Sequence, residues 1–201
     1  MSRTISQLLI LLHGYGGQGQ NFIFIKDYLK KQIENLEILM PNAPFIKDEV
    51  RKEYQWFELH SKNQEDQLSQ IQKSLLRIKN YLDDASKKYK VPYEKILLGG
   101  FSQGGMMSLY SATQIKKRIQ GVIVFSGKMI LVESLKNAIK IHVFLSHGSS
   151  DKIIPHNSMI ESEQQLKKHG FYVTTHTAKN IGHDIDKSTI KKFISFIKNE
   201  V

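Results

Sequence analysis

At 201 residues the chain is long enough for one domain with its own core, and with no cysteine it has no disulfide framework, no Cys-based zinc site and no thiol nucleophile. Its 29 Lys and Arg against 19 Asp and Glu give a formal charge of +10, which raises nucleic acid or an anionic membrane as a partner. Most of the excess is lysine without interleaved aromatic platforms, and Lys87-Lys88, Lys116-Lys117-Arg118 and Lys167-Lys168 fall near the ends of predicted helices, where cations complement the helix dipole.

A solvated basic surface follows, with no nucleic-acid partner and only weak, transient contact with an anionic membrane surface. The absence of cysteine suits a reducing compartment, so a cytoplasmic location is expected. Residues 5–12 are apolar behind Arg3, but the run is short, contains Gln7 and enters His13-Gly14 without a small-residue cleavage site. It reads as a strand, not a signal peptide.

Residues 7–12 form the first predicted strand and deliver a glycine-rich loop, His13 to Gly19. Gly14, Gly16 and Gly19 make a G-x-G-x-x-G spacing before a helical stretch at about 21–33, the setting of a dinucleotide fingerprint. That fingerprint needs an acid closing the second strand, whereas residues 37–40 end in Pro41-Asn42 with their only acid at the wrong end. The competing reading is a loop whose amides point at an oxyanion. Residues 41–62 look irregular, broken by Pro41 and Pro44, with Phe45, Trp56 and Phe57 as large apolar groups that either wall a pocket or anchor the core.

A long helix is predicted over 64–89, because Leu68, Ile71, Leu75, Ile78, Leu82, Ala85 and Tyr89 make one apolar stripe and Val91-Pro92 ends it. Next comes KILLGGFSQGGMMSLY, residues 95–110. Its G-x-S-x-G, Gly100 to Gly104, would arise by chance in about one chain in fifteen of this length. The flanks therefore decide: Ile96, Leu97 and Leu98 read as a buried strand and Met106, Met107, Leu109 and Tyr110 as a helix, so Ser102 sits on the turn between them.

Residues 121–125 form another strand, followed by a variable 126–140 and a strand over 141–146 that opens into HGSSDKIIP. Helix 156–169, strand 171–176, the loop Gly182-His183-Asp184 and a final helix bearing Ile190, Phe193, Ile194 and Ile197 complete an alternation that calls for one parallel α/β sheet in a single domain, 1–201. Ser102, Asp151 and His183 each fall in a loop after a predicted strand, in the chain order of a hydrolase triad. His13 and His147 also precede glycine but lie in the wrong order, and Asp184 is too close in sequence to reach the ring of His183 edge-on.

Together LHGYGG, PNAP, WF, GGFSQGGMMSLY, HGSSDKIIP and GH resemble the phospholipase/carboxylesterase family, which includes acyl-protein thioesterases. The resemblance implies an α/β-hydrolase fold, a mostly parallel central sheet with helices on both faces, no cofactor and no metal, and hydrolysis of carboxylic esters or thioesters. It assigns nucleophile, acid and base to Ser102, Asp151 and His183, and oxyanion-hole amides to Tyr15 and Gln103. The implied partners are a small-molecule or lipid acyl ester or an acylated protein, met by a monomer or weak homodimer. Relatives often carry a longer connection where this chain has residues 126–140, so a more open acyl site is expected, with Phe45, Trp56, Phe57 and Met129 as its candidate wall. The rival readings are a dinucleotide-binding oxidoreductase using the loop at 14–19 and a noncatalytic binding protein on a hydrolase scaffold.

Overall fold

The structure, a computed structural model, describes residues 4–201; Arg3 lies outside them. Six strands, β1 (Gln7–Leu12), β2 (Leu36–Leu39), β5 (Ile96–Phe101), β6 (Gly121–Phe125), β7 (His142–Gly148) and β8 (Tyr172–Ala178), pair in parallel in the order β2-β1-β5-β6-β7-β8. Parallel strands need crossover connections; four of the five are supplied by α1 (Ile23–Gln32), α2 (Gln64–Tyr89), α3 (Gln103–Gln114) and α4 (Asn157–Lys168), that from β6 to β7 carries only a short 3-10 turn (Val132–Leu135), and α5 (Lys187–Asn199) closes the helical set.

Successive strand residues face opposite sides, which divides the core in two. Leu8, Ile10 and Leu12 of β1 pack with α2, α3 and α4, whereas Leu9 and Leu11 pack with Ile25 and Leu29 of α1 and Phe193 and Phe196 of α5. Both faces of the sheet are thus covered, which is why its central strands are apolar throughout. Between β2 and α2, where the sequence looks irregular, stands a small antiparallel hairpin, β3 (Phe45–Asp48) with β4 (Glu53–Gln55). It is tied to the loop after β1, since the Gly16 amide donates to Tyr54 O at 2.9 Å and the Tyr54 amide to Gly17 O at 3.0 Å.

Helix α2 starts where Asn63 Oδ1 accepts from the amides of Glu65 and Asp66, and ends at Lys90 in the left-handed region. Among the described residues no helix is long and apolar enough to cross a membrane. Because every strand of the main sheet runs the same way, the loops after β1, β5, β7 and β8 gather at one edge.

Candidate active site

Ser102 lies at that edge, between the last residue of β5 and the first of α3, with φ 53° and ψ −120°. A positive φ is strained for a side-chain-bearing residue, by about 1–3 kcal/mol, and persists only where the surroundings enforce it. Here they do so through two glycines. A β-carbon at Gly104 would fall 2.0 Å from Leu12 O, and one at Gly100 would fall 2.4 Å from the Gly104 carbonyl carbon, so strand and helix meet closer than any side chain allows. The Ser102 amide donates to Phe125 O at 2.8 Å, fixing the turn to the neighbouring strand.

Asp151 follows β7, with its carboxylate fully buried, and its Oδ2 accepts from His183 Nδ1 at 2.7 Å. Its Oδ1 accepts the amides of Ile153 and Ile154 at 2.8 and 3.0 Å. Burial works to raise the Asp151 pKa, but the bonds from His183 and the two amides outweigh it and hold the carboxyl below its ordinary value. Asp184, the alternative acid, is exposed and accepts only the Ile185 amide. The His183 ring packs on Phe101, beside the serine, with ring centroids 4.7 Å apart. Asp151 and His183 are therefore joined, and His183 stands against the serine's neighbour; among the described residues no hydrogen bond links Ser102 to His183.

The amides of Tyr15 and Gln103 form no hydrogen bond within the described chain, and the Gln103 amide is the first of α3, at the positive end of the helix dipole. The Gln103 side chain is fully buried and engaged elsewhere: Oε1 accepts the Trp56 amide at 2.8 Å and Nε2 donates to Phe57 O at 2.6 Å.

His13 and His147, set aside as the base because of their place in the chain order, are buried supports of the site. His13 accepts the Ala43 amide at Nε2, which puts its proton on Nδ1, donated to Gly14 O at 2.7 Å; this braces the loop that carries Tyr15. His147 holds Nε2 2.8 Å from Ile154 O and 3.1 Å from Asp151 Oδ2, the same oxygen that His183 contacts. Burial lowers the pKa of both, against the bond to Gly14 in one case and those to Ile154 and Asp151 in the other. Their place before glycine at a strand end was the available signal.

The aromatic wall candidates stand elsewhere. Trp56 is 1% exposed and donates its indole N–H to His13 O, and Phe57 is buried in the same core cluster. Phe45 belongs to the β3–β4 hairpin, and Met129 packs on the core, its amide donating to Ser162 Oγ. The connection 126–140 folds down through buried Leu135. A cavity of about 300 Å³ is lined instead by the 13–17 loop, Asn21, Phe22, Phe24, Ile185 and the residues next to Ser102 and His183 in the chain, Phe101 and Asp184. Of the G-x-G-x-x-G glycines, Gly19 serves packing, since a β-carbon there would fall 1.9 Å from Met40 O, and Gly16 takes a φ of 70°. No group of three or more His, Asp or Glu among the described residues could hold a metal ion.

A family model described as Phospholipase/Carboxylesterase matches residues 2–201. The chain is 28% identical to "Acyl-protein thioesterase 1" of Emericella nidulans, over 94% of this chain and 88% of the relative, and 30% identical to "Lysophospholipase-like protein 1" of Mus musculus, over 96% and 86%. Among solved structures it is similar to the esterase PE8, with a TM-score of 0.90 at 25% identity, covering 98% of this chain and 94% of that one.

Proposed function

Because this chain belongs to the phospholipase/carboxylesterase family of serine esterases and thioesterases, with their α/β-hydrolase fold, we propose that it works through Ser102, His183 and Asp151, with the Tyr15 and Gln103 amides as oxyanion donors. The observation that carries this reading is the buried 2.7 Å bond from His183 to Asp151 beside a serine held at positive φ. Asp151 fixes the proton on His183 Nδ1, leaving Nε2 as the base. Ser102 Oγ attacks the acyl carbonyl as His183 takes its proton; the tetrahedral oxyanion forms against the two free amides. His183 then protonates the departing oxygen or sulfur, and water repeats the sequence on the acyl-enzyme.

The substrate class we propose is an acyl ester or thioester, carried by a lipid or by a protein, hydrolysed by a single domain spanning the chain. A noncatalytic role does not account for a strained serine, an oriented imidazole and two unpaired amides converging at one edge. The test is hydrolysis of p-nitrophenyl esters from acetate to palmitate. Ser102→Ala should lose about six orders of magnitude in kcat while keeping the wild-type circular dichroism spectrum. Retention of wild-type activity by that variant would sink the triad.

A further inference from the structure

The cavity beside Phe101 and Asp184 adjoins a second, of about 510 Å³, which shares Phe24 and Ile185 with it and is lined further by Tyr28, Ile190, Lys187 and Lys191. This groove runs between α1 and the start of α5, and its walls leave Phe24 56% and Tyr28 42% exposed. Lysine stems extend an apolar wall while their ammonium groups stay in water. A concave apolar groove next to a reacting centre is where the body of a substrate lies.

Which half of the substrate it holds follows from where the proton goes. The tetrahedral centre carries the serine oxygen, the oxyanion, the acyl chain and the leaving heteroatom. His183 must deliver its proton to the leaving atom, so that atom lies on the imidazole's side and the acyl chain turns away from it. The groove begins on the imidazole's side: Asp184 and Ile185 directly follow His183, and Phe101 carries its ring. We propose that the α1–α5 groove binds the leaving half of the substrate, an apolar alcohol or thiol, and not the acyl chain.

The inference rests on the triad reading above. In acylation the bond from Oγ to the acyl carbon forms, the bond from that carbon to the leaving oxygen or sulfur breaks, and the His183 proton completes the alcohol or thiol, which leaves along the groove. In deacylation water supplies the new oxygen and returns its proton through His183 to Ser102, releasing the acid.

Two substrate ladders separate the halves: acetate esters of straight-chain alcohols from ethanol to octanol, and p-nitrophenyl esters from acetate to octanoate. In the wild type, kcat/KM, which reports the steps through acylation, should rise along the alcohol ladder by up to about fourfold per methylene buried. Phe24→Ala and, independently, Tyr28→Ala should flatten that rise and leave the slope of the acyl ladder in place. Flattening of the acyl ladder instead, or of neither, overturns the assignment. Turnover of either ladder by Ser102→Ala would condemn the triad itself, a separate failure.

Discussion

At the scale of single residues, the serine's backbone carries as much information as its hydroxyl. With φ 53° and ψ −120°, Ser102 occupies a region that glycine enters freely. Ser102→Gly therefore relieves strain while removing the hydroxyl. Glycine's extra chain entropy offsets part of the gain, so the net stabilisation expected is about 1 kcal/mol, a rise of about 2–4 °C in Tm over Ser102→Ala. Equal melting temperatures for the two variants would mean that the turn is unstrained. The strand-to-helix turn at Ser102 was legible because its glycines and flanking apolar runs are local in sequence. The contacts that enforce it were not, since Gly104 is pressed on Leu12 and the serine amide is held by Phe125, both distant along the chain. The same holds for Phe24 and Ile185, ordinary apolar residues until α1 and the loop after β8 bring them to one cavity.

At the scale of elements, capping residues do much of the specification. Asp186 caps α5, its carboxylate accepting the amides of Ser188 and Thr189 at 3.2 and 2.9 Å. Burial works to raise its pKa, yet the hydrogen bonds from Ser188 and Thr189 prevail and bring it to about 2. The unfolded value is about 3.9, so a carboxyl depressed on folding stabilises fully above that pH and loses its contribution as pH falls toward 2. Asp186→Ala should cost about 1 kcal/mol at pH 6, with the gap to wild type closing by pH 2. A gap that does not vary with pH in urea unfolding would remove the cap from the account. Helix α2 was legible to the residue from its stripe and Val91-Pro92, and the structure adds the Asn63 cap at its start. Leu68 is an exception on that stripe, being 44% exposed. The β3–β4 hairpin was hidden because its strands are short, and Lys47 and Asp48 break any apolar alternation. Strand β7 outruns the apolar stretch by two residues, His147 and Gly148, which pair with Thr177 and Ala178.

For the whole molecule, acid should be felt well before the carboxylates titrate. Burial lowers the pKa of His13 and His147, and also of His176. Below an unfolded value of about 6.5, the unfolded chain binds protons that the folded one refuses, so stability falls with pH by up to about 1.4 kcal/mol per unit for each such ring. Urea midpoints at pH 7.5 and pH 5.5 measure this; an unchanged midpoint would show that the rings charge without unfolding. The parallel sheet was legible from the alternation of apolar runs, as were the loops after β7 and β8 that hold Asp151 and His183. The location of the cavity was not, because large aromatics serve core and pocket alike: Trp56 and Phe57 went to the core, held by the Gln103 side chain.

The tie between the β3–β4 hairpin and the loop after β1 has a consequence for how such a sequence can drift. Tyr54 shares two backbone bonds with Gly16 and Gly17, the residues directly after Tyr15, so the hairpin's stem sets the resting place of the Tyr15 amide. With the Tyr15 amide as the proposed oxyanion donor, insertions or deletions in β4 would lower turnover even where the fold tolerated them. Lineages are free to vary at the tip, around residues 49–52, where Val50 is 93% exposed.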